Sequence, residues 1–495
     1  MPDYRAALVI DIGTTNCKVS CYCCHDASVL EVRKFQTPKK ESVSGVDFDI
    51  EALWQALRRV MAELVSSSPL PVTDISIASF GESGVFVDEQ GAILTPMLAW
   101  YDRRGEAYLA SLSESDYEEL YAITGLPPHS NYSAFKMRWL LDTYALHERK
   151  DICWLHAPEV LLWRMTGEKR TEISLASRTL CLDIASRSWS RKAAAMLGIP
   201  FHVLAPLIRP GQVAGWVTSE LKKELGFGHD VKVTLAGHDH MVGARALQMQ
   251  PGDVLNSTGT TEGILLLNTR PTLDPQARRD KLANGCYSDG ELFTLFASLP
   301  IGGYAFEWLQ KTFRLTAEEV ENALEKAGQH YLHPSWSADQ VPVFIPHLRG
   351  SGSPNKNRHT RGLLFGLTDS LDAKTLIESV FIGLAMELAH CYACFNIPVG
   401  TPLKVIGPAV KNPFWLQLKA DVLLCPVEAI TFDETVSVGA LMMACPELTL
   451  PSGPVVQTYL PDRDRFAKLK KYQQQWQAFY RFKLLQEGII SDDES

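Results

Sequence analysis

The feature that constrains the fold most is a strand–turn–strand pattern that occurs twice along the chain. Residues 7–24 form two apolar, strand-like runs joined by a Gly-Thr-Thr turn at 13–15. The same arrangement returns in residues 254–266, with Gly-Thr-Thr at 259–261. Two such patterns about half a chain apart predict two related halves, each opening with a hydroxyl-rich hairpin. Three matching residues also arise by chance, so the repeat is suggestive rather than sufficient.

Length and composition define the class of protein. A chain of 495 residues is too long for one ordinary core, so two or three domains are expected. Its content of 46% apolar and 21% charged residues is typical of a globular protein. The net charge of −9 argues against nucleic acid or an anionic membrane as the main partner. It leaves room for a local basic pocket that binds phosphate.

Neither a membrane span nor a secretory leader is expected. No apolar run approaches the roughly 18 residues that a spanning helix needs. The N-terminus lacks a basic segment followed by an apolar core. The chain has eleven cysteines without a framework spacing, which favours the reduced cytoplasm as its location.

Two groups of cysteines have alternative interpretations. Cys17, Cys21 and Cys23 alternate along a predicted strand, as residues on one face do, so zinc binding is the less favoured alternative. Cys391 and Cys394 lie in a long helix-like segment, which makes a redox pair equally unfavoured.

The first half of the chain has an α/β rhythm with an antiparallel hairpin mixed in. Residues 50–64 have helical periodicity behind the capping candidate Asp49, and 74–80 form a short strand. Residues 105–205 have a mostly helical pattern, and a buried strand follows at 231–236. This alternation predicts an α/β fold.

The boundary between the halves is expected near the Pro-Gly turn at 251–252, which gives domains at 1–248 and 249–450. Residues 451–495 remain as a C-terminal helix and acidic tail. The tail itself, 491–495, is expected to be disordered.

The first hairpin has the chemistry of a phosphate and metal site. Glycine permits close backbone approach, and threonine adds a hydroxyl donor beside backbone N–H groups, which suits phosphate oxygens. The carboxylate of Asp11, at the end of the first strand, suits Mg²⁺ that bridges to phosphates. A plain hairpin turn explains these residues equally well. The second hairpin favours the site, because two such loops would enclose a nucleoside triphosphate from both sides of a cleft.

Asp239 is the candidate general base. It follows a buried strand and precedes a helix-like segment of small residues. A carboxylate in this position can accept the proton of a hydroxyl that attacks a γ-phosphate. A helix N-cap is the alternative. A zinc site formed with His238 and His240 is less favoured, because the sequence offers no evident third, distant ligand.

A strand, a Gly-Pro-Ala turn and a helix follow one another in residues 405–427. Asn412 and Pro413 are expected to start the helix. Its side chains expected to face the core are Trp415, Leu416 and Leu418. A turn of small residues with an amide side chain nearby suits a flat adenine ring, although the pattern alone is only a strand–turn–helix unit.

In this order, the four segments resemble the FGGY family of carbohydrate kinases. Asp11-Ile-Gly-Thr-Thr15 resembles the first phosphate motif of the family, and Ser257-Thr-Gly-Thr-Thr261 resembles the second. Gly237-His-Asp239 matches the segment that carries the catalytic base, and residues 407–421 resemble the adenosine motif. The resemblance covers roughly residues 5–445.

The resemblance implies an α/β fold of two actin-like, ribonuclease-H-like domains, of the sugar kinase/Hsp70/actin type. The domains would close around Mg²⁺-ATP in an interdomain cleft, with the sugar side and Asp239 in the first domain and the adenosine site in the second. Phosphate would pass to a primary hydroxyl of a small sugar, a ketose being expected first, or of a polyol. Homodimers are common in the family, although the sequence does not fix the oligomeric state of this chain.

The resemblance also assigns roles to individual residues. Asp11 and Asp239 would hold Mg²⁺, and Asp239 would be the catalytic base. The ATP-binding candidates are Gly13, Thr14, Thr15, Lys18, Gly259, Thr260, Thr261, Gly407, Pro408, Ala409 and Asn412. The substrate-binding candidates are Glu82, Trp100, Asp102, Arg103, Asn131, Asp239 and His240.

The acceptor side departs from the two best-known family patterns. Trp100-Tyr-Asp-Arg-Arg104 and Glu82 resemble segments of glycerol kinases. However, Gly81 stands where those have arginine, Asn131 where an aromatic residue is expected and His240 where glutamine is usual. The Gln-Met-His motif of xylulokinases is absent too. The identity of the acceptor therefore does not follow from the motifs.

Alternative explanations remain open. Asp102 and Arg103 would form an ion pair that holds a loop, Glu82 would be a loop carboxylate, and Trp100 would pack in the core. The Gly-Pro-Ala turn at 407–409 also departs from the two or three glycines common in the adenosine motif. For the whole chain, a non-catalytic sugar or nucleotide sensor and an actin- or Hsp70-like ATPase are the rival functions.

Overall fold

The structure is a computed structural model, in which two large β-sheets, one in each half of the chain, are covered by helices. The residues it describes are 4–42, 45–432, 434–448, 450 and 455–488. The acidic tail, for which the sequence predicts disorder, lies outside them.

The strands of the N-terminal half are β1 (Ala6–Ile12), β2 (Asn16–Cys23), β3 (Val29–Gln36), β4 (Lys39–Ser42), β5 (Gly45–Phe48), β6 (Val72–Ser79), β7 (Gly84–Asp88), β8 (Met97–Leu98), β9 (Ile152–His156), β10 (Thr171–Glu172), β11 (Leu182–Asp183), β12 (Ser188–Trp189), β13 (Leu207–Ile208), β14 (Val213–Trp216) and β15 (Lys232–His238). Six of them form the main sheet, in the order β14-β15-β6-β1-β2-β3. β1, β6 and β15 are parallel to one another, and the other three are antiparallel to their neighbours.

The strands of the C-terminal half are β16 (Val254–Thr258), β17 (Glu262–Asn268), β18 (Ala283–Cys286), β19 (Phe293–Leu299), β20 (Val343–Ile345), β21 (Leu363–Phe365), β22 (Leu403–Ile406), β23 (Val427–Thr431) and β24 (Val455–Tyr459). Seven of them form the second main sheet, in the order β18-β19-β17-β16-β22-β23-β24. Here β16, β22 and β23 are the parallel strands.

The α-helices are α1 (Ile50–Ser67), α2 (Glu106–Ala110), α3 (Glu114–Thr124), α4 (Ser133–Thr143), α5 (Ala157–Thr166), α6 (Ile173–Ala176), α7 (Arg191–Met196), α8 (Ser219–Leu225), α9 (Asp239–Ala246), α10 (Pro275–Arg279), α11 (Tyr304–Phe313), α12 (Ala317–Leu332), α13 (Ala373–Tyr392), α14 (Pro413–Leu423), α15 (Thr435–Ala444) and α16 (Arg463–Gln486). Short 3₁₀ turns occupy Phe201–Val203, Ala338–Gln340, Ala393–Phe395 and Pro408–Lys411.

The two main sheets repeat one topology, as the duplicated Gly-Thr-Thr pattern predicts. The order β3-β2-β1-β6-β15-β14 in the first half corresponds to β19-β17-β16-β22-β23-β24 in the second. In both, three antiparallel strands are followed by two parallel strands and an antiparallel one. The parallel strands of each sheet end at one edge, where ligands of open α/β sheets bind.

Most elements expected from the sequence are present. Both hairpins form, and α1 begins behind Asp49, whose carboxylate accepts a hydrogen bond from the backbone N–H of Ala52 at 3.1 Å. The region 105–205 is helical in its first part but also contains the short strands β9 to β12. In α14, the apolar residues expected to face the core, Trp415, Leu416 and Leu418, are all buried.

The segment Ala373–Phe395 is the one helix in the described part of the chain that is long and apolar enough to cross a membrane. From the sequence, no segment is expected to be long and apolar enough to cross a membrane. Of its most apolar stretch, 83% is buried inside the protein, where it packs among the residues of the C-terminal core. We therefore describe it as the central core helix of this half.

Helix α15 joins the two halves. It belongs to the second half of the chain, yet its residues Ala440 and Leu441 pack into a buried cluster with Val9 of β1. The hydroxyl of Ser76, on β6, donates to the carbonyl of Ala440 at 2.7 Å. Helices α15 and α9 also cross closely, because a Cβ atom on Gly439 would overlap the carbonyl oxygen of Val242.

Replacing Gly439 with alanine tests this crossing. The added methyl group forces the two helix backbones apart, and overpacking of this kind costs about 1–3 kcal/mol. That exceeds the roughly 1 kcal/mol by which alanine favours a helix over glycine. We expect Gly439→Ala to lower the midpoint of thermal unfolding, measured by differential scanning calorimetry.

Gly243→Ala is the matched control on the opposite helix. A Cβ atom there meets its nearest neighbour, the hydroxyl oxygen of Thr435, at 3.5 Å, which is an ordinary contact. This variant should be as stable as the unmodified protein or slightly more so. An equal loss in both variants would contradict the proposed close crossing.

Candidate functional site

The parallel strands of the N-terminal sheet bring Asp11 and Asp239 to the same edge. Asp11 is opposite Ala78 of β6, and Ala78 is in turn opposite Gly237 of β15. Asp239 follows directly, as the first residue of α9. The sheet register thus explains why two carboxylates 228 positions apart in the chain share one site.

Asp11 lies in an electrostatic environment that resists its ionisation. Burial, and the nearby charge of Asp239, raise the pKa of Asp11 to about 6, against the opposing effect of Lys18. The ammonium of Lys18 is 3.7 Å from the Asp11 carboxylate and also pairs with Glu434, at the start of α15. The second half of the chain therefore contributes a carboxylate to this corner of the site.

The first Gly-Thr-Thr turn is tight and anchored. The N–H of Gly13 donates to the carbonyl of Asn16 at 3.0 Å, and a Cβ atom on Gly13 would lie 2.8 Å from that oxygen. The hydroxyl of Thr37 donates to the carbonyl of Gly13 at 2.6 Å. The hydroxyl of Thr14 accepts from the indole N–H of Trp100 at 2.9 Å. The hairpin and a predicted acceptor-binding residue are therefore in direct contact.

Asp239 begins a helix rather than capping one from outside. Its carboxylate accepts from the backbone N–H of His240 at 2.7 Å. Burial raises the pKa of Asp239, and the nearby charge of Glu82 adds to this effect, while His240 and Arg178 oppose it. A carboxylate with a raised pKa is a stronger base than an exposed one.

A buried polar network lies under the turn that leads to Asp239. Glu172 is fully buried and accepts from the backbone N–H of Ser174 at 2.9 Å. The hydroxyl of Ser174 in turn accepts from the backbone N–H of His238 at 2.9 Å. A Cβ atom on Gly237 would overlap both Ser174 and Glu172. Only glycine therefore lets the chain lie on this network one turn before the candidate base.

The second Gly-Thr-Thr turn is exposed at its tip and fixed at its base. Residues 259–261 are exposed, and the N–H of Gly259 donates to the carbonyl of Thr261 at 2.8 Å. The N–H of Gly303 donates to the carbonyl of Gly259 at 2.7 Å, and that of Tyr304 to the carbonyl of Thr260 at 3.2 Å. The N-terminus of α11 thus holds this hairpin from behind, leaving its open side for a ligand.

The Gly-Pro-Ala turn packs against the same hairpin. Gly407 has a φ of +89°, and a Cβ atom on it would overlap the carbonyl oxygen of Thr258. The hydroxyl of Thr258 accepts from the N–H of Ala409 at 3.1 Å. Farther along, Lys419 of α14 donates to Glu262 of β17 at 2.6 Å, in a fully buried pair. Two contacts therefore tie the candidate adenosine segment to the second phosphate hairpin.

A cavity of about 540 Å³ opens beside this turn. Its lining includes Pro408, Asn412, Phe414 and Tyr331. The buried amide nitrogen of Asn412 has no acceptor among the described residues, although its oxygen caps α14 by accepting from Trp415 N–H at 3.1 Å. The wall of the cavity is largely apolar, which suits a flat ring.

The acceptor-binding candidates are only partly brought together. Glu82, with a positive φ of 64°, forms an ion pair with the guanidinium Nε of Arg178 at 2.9 Å. Arg178 also stacks over the ring of Tyr132, with 5.1 Å between the guanidinium carbon and the ring centroid. Glu82 lies near enough to influence the pKa of Asp239, so this carboxylate belongs to the site.

Asp102 and Arg103 do not form the pair considered from the sequence. Asp102 binds Arg104 instead, at 2.9 and 3.0 Å, and accepts from the backbone N–H of Val46 at 3.2 Å. Arg103 is more than half exposed and pairs with Glu106. The loop-holding role is therefore performed by Asp102 and Arg104.

Two further candidates lie at the margin of the site. Asn131 is half-buried, and its backbone carbonyl accepts from the ammonium of Lys136. The side chain of His240 is about half exposed, and its ring packs edge-on against Phe296, with centroids 5.4 Å apart. His240, in the N-terminal half, therefore contacts the C-terminal half through this ring pair.

Several residues of the site carry no local signal in the sequence. Glu172, Arg178 and Glu434 reach it from loops or helix ends far along the chain. Neither motif nor spacing marks them, because only the folded backbone brings them near Asp11 and Asp239. No cluster of three or more His, Cys, Asp or Glu side chains suited to a metal ion occurs within the described residues, so the zinc interpretations find no ligand set there.

Comparison with known proteins identifies relatives along the whole site-bearing region. The model for the N-terminal domain of the FGGY family of carbohydrate kinases matches residues 6–245, and that for the C-terminal domain matches 254–447. The glycerol kinase of Lactococcus lactis is 26% identical over 90% of both chains, and that of a Nostoc species is 28% identical over 88% of both.

Solved structures show the same fold at low sequence identity. A gluconate kinase from Lactobacillus acidophilus has a TM-score of 0.85 and 20% identity, covering 97% of this chain and 98% of that one. A Plasmodium falciparum glycerol kinase with ADP has a TM-score of 0.84 and 20% identity, with the same coverage. The two-domain sugar kinase fold expected from the sequence is thereby confirmed.

The buried carboxyl of Glu172 gives the stability of the protein a pH dependence. Burial raises the pKa of Glu172 to about 7 from an ordinary value of 4.5, although hydrogen bonds from Ser174 lower it. As pH rises from about 4.5 to 7, the unfolded chain loses this proton first, so stability falls by on the order of 3 kcal/mol. We expect Glu172→Gln to remove this fall, as measured by urea unfolding at pH 5 and pH 8.

Glu168→Gln is the control for that comparison, since Glu168 is an exposed residue four positions away. It should keep the pH dependence of the unmodified protein. If the free energy of unfolding depends on pH in the same way in Glu172→Gln and Glu168→Gln, the raised pKa of Glu172 is wrong.

Proposed function

The chain belongs to the FGGY family of carbohydrate kinases, and from this premise we propose that it transfers the γ-phosphate of ATP to a primary hydroxyl of a small sugar or polyol. The observation that carries the proposal is the meeting of Asp11, Asp239 and the first Gly-Thr-Thr turn at one edge of the N-terminal sheet. A kinase of this class requires groups that neutralise the charge of the transferred phosphoryl group, and a general base close to them.

ATP is the family's phosphate donor, and specific residues of both halves suit it. The exposed turn at 259–261 offers backbone and hydroxyl donors to phosphate oxygens. The cavity beside Gly407 and Asn412 suits the adenine ring, since its wall is largely apolar and includes the ring of Phe414. Lys18, held by Asp11 and Glu434, adds a positive charge near the first turn.

Asp11 and Asp239 fit a Mg²⁺ ion. Burial and the charge of Asp239 raise the pKa of Asp11, so Mg²⁺ held by these two residues would offset the repulsion between their carboxylates. When bound, Mg²⁺ neutralises charge on the phosphates and so weakens the bond to the leaving group.

The base proposed is Asp239. Its carboxylate accepts the proton of the attacking hydroxyl, and the raised pKa makes that acceptance more favourable than at an exposed aspartate. The backbone N–H of His240 holds one carboxylate oxygen, which leaves the other for the substrate. The network of Ser174 and Glu172 positions the preceding turn.

The acceptor side is proposed to include Trp100, Glu82, Asn131 and His240. The relatives are named as kinases of glycerol, xylulose and gluconate, so a small polyhydroxylated acceptor is expected, a ketose among the first candidates. Asp102 and Arg103 are less suited, because one is occupied by Arg104 and the other faces solvent. We further propose a cytoplasmic location and a homodimer; all eleven cysteines are free thiols, as a reducing compartment requires.

Asp239→Asn tests the proposed chemistry. The amide keeps the size of the side chain but accepts a proton poorly, so we expect kcat to fall about 10²–10⁴-fold, while nucleotide binding remains. The measurement is ADP release with Mg²⁺-ATP against a panel of ketoses, alditols and sugar acids, combined with calorimetry of nucleotide binding.

Asp230→Asn is the matched control, because Asp230 is an exposed residue of the same half that pairs with Lys222. It should retain full activity. Acceptor-dependent ADP release that survives in Asp239→Asn would refute the assignment of the base. Absence of such release in the unmodified protein with every alcohol tested would refute the kinase function itself.

Gly407→Ala tests the adenine cavity. The substitution strains a left-handed backbone and pushes the turn away from Thr258, so we expect nucleotide affinity to fall at least tenfold. The readout is the dissociation constant of a non-hydrolysable ATP analogue, measured by titration calorimetry.

Gly400→Ala supplies the control for that measurement. Gly400 has a similar φ of +84°, but a Cβ atom on it meets nothing within 4 Å. It bears the same backbone strain without the displacement of the turn. Equal affinities in the two variants would show that displacing the turn does not affect nucleotide binding. That result would contradict the assignment of the cavity to adenine.

A further inference from the structure

A chain of hydrogen bonds inside the N-terminal half ends at the backbone of Glu82, one of the proposed acceptor-binding residues. It is formed by the side chains of Ser133, His156 and Glu159, which we call the buried triad. All three residues have 0% exposure. Neither the sequence motifs nor the proposed chemistry uses them.

Each link of this chain has hydrogen-bond geometry. Both carboxylate oxygens of Glu159 lie 3.0 Å from Nδ1 of His156, and one of them accepts from the backbone N–H of that histidine at 2.8 Å. Nε2 of His156 lies 3.3 Å from the hydroxyl oxygen of Ser133. That hydroxyl donates to the backbone carbonyl of Glu82 at 3.2 Å. The chain therefore connects α5, which carries Glu159, to the backbone of Glu82.

The direction of the Ser133 hydroxyl follows from its two acceptors. Because the Glu159 carboxylate binds the Nδ1 proton of His156, Nε2 of the neutral ring is an acceptor. The single proton of the Ser133 hydroxyl thus lies between Nε2 and the Glu82 carbonyl, as in a three-centre hydrogen bond. The imidazole thereby fixes the hydroxyl in the position that binds Glu82.

Serine, histidine and a carboxylate in this order also form the catalytic triad of hydrolases, but burial excludes that chemistry here. A nucleophilic hydroxyl must reach the carbonyl of a substrate. Ser133 has 0% exposure, and its proton points at a carbonyl of the protein itself. The buried triad therefore acts on the backbone, at Glu82.

The backbone at Glu82 requires support because its conformation is strained. Its φ of +64° lies in the left-handed region, which residues with a Cβ atom rarely adopt. Such a conformation persists where the surrounding structure holds it. On one side the Ser133 hydroxyl binds Glu82, and on the other the carbonyl of Ser83 accepts from the backbone N–H of Ala157 at 3.2 Å.

The N-terminus of α4 also holds the ion-pair partner of Glu82. The first N–H groups of a helix have no partner within the helix. The N–H of Ser133 donates to the carbonyl of Arg178 at 3.4 Å, and the N–H of Ala134 donates to the next carbonyl at 3.1 Å. Ser133 therefore contacts Glu82 through its hydroxyl and Arg178 through its backbone.

The loop of Glu82 lies against the turn that carries the candidate base. Gly81 precedes Glu82, and a Cβ atom on Gly81 would lie 2.7 Å from the imidazole Cδ2 of His238. His238 directly precedes Asp239. A displacement of the Glu82 backbone therefore moves its carboxylate relative to Asp239.

Building on the proposed function, we propose that Ser133 and His156 are positioning residues for the acceptor. They fix the backbone of Glu82, so that its carboxylate is held in place to accept a hydrogen bond from an acceptor hydroxyl. One oxygen of this carboxylate pairs with Nε of Arg178 at 2.9 Å, which leaves the other for the acceptor. The proposed ATP contacts do not include this carboxylate, so the effect falls on the acceptor alone.

Ser133→Ala tests the link to Glu82, because it removes the hydroxyl and keeps the backbone bonds of α4. The assay is ADP release with Mg²⁺-ATP and the ketose, alditol or sugar acid that the unmodified protein phosphorylates fastest. We expect KM for that acceptor to rise about tenfold, as for the loss of one hydrogen bond, and KM for ATP to change less than about twofold. An unchanged KM for the acceptor would overturn the proposal.

Ser379→Ala is the matched control in the C-terminal core. Ser379 also has 0% exposure, and its hydroxyl also donates to a backbone carbonyl, that of Pro342 at 2.6 Å. Its loss costs the same kind of buried hydrogen bond at a position outside the acceptor site. KM for the acceptor should remain that of the unmodified protein. An equal rise of this KM in both variants would contradict the positioning role.

Two substitutions of His156 test the middle of the chain. Asparagine places its amide near the position of Nδ1, so it still binds Glu159 but does not reach Ser133. Glutamine extends its amide to the position of Nε2 and reaches Ser133. KM for the acceptor should rise about threefold in His156→Asn, and His156→Gln should recover most of that rise. The reverse order would refute the role of His156.

Crystal structures of the unmodified protein and of Ser133→Ala separate this inference from the proposed function, because they require no turnover. In the variant, we expect Glu82 to leave the left-handed region or its ion pair with Arg178 to lengthen beyond about 4 Å. If φ and the ion pair are unchanged, the inference is wrong, whether or not any acceptor reacts. If Glu82 moves and no compound of the panel is phosphorylated, the positioning of Glu82 stands and the kinase function is wrong.

Discussion

The close crossing of α15 and α9 is the constraint on which the rest of the site depends. Gly439 lies against the carbonyl of Val242, and Ser76 holds the carbonyl of Ala440 at 2.7 Å. This crossing lets a helix from the second half of the chain pack against the first sheet. It thereby brings Glu434, at the start of α15, to Lys18 and the first turn.

In the proposed reaction, the two sheets have different roles although they share one topology. The first presents carboxylates at its strand ends, Asp11 and Asp239, which suit a metal ion and a proton. The second presents small residues, at 259–261 and 407–409, which suit phosphate oxygens and a ring. The duplicated hairpin thus serves as a common frame, and the residues after each strand decide what each half binds.

The hairpins and helix starts that the sequence predicts are those determined by residues close to them in the chain. Alternating apolar runs around Gly-Thr-Thr fix both hairpins, and the side-chain bond of Asp49 fixes the start of α1. In the candidate site, the residues that the sequence marks are those within motifs, such as Asp11 and Asp239. Arg178 could not be predicted as the partner of Glu82, because it arrives on an irregular loop 96 positions away. Likewise, Asp102 is followed by two arginines in the sequence, and only the backbone turn at 102–104 decides that Arg104 is the one it binds.

Net charge is a poor guide to the ligand of such a molecule. The chain carries −9 overall, which argues against anionic macromolecules as partners. In solution, however, exposed charges act over roughly a Debye length of 8 Å at physiological salt, whereas buried groups are screened much less. Lys136 has 0% exposure and helps to lower the pKa of His129, after the effect of burial, so this cation acts on its neighbours from inside the protein. The charge that a small ligand meets is therefore decided by the groups that line its site, and not by the total over the chain.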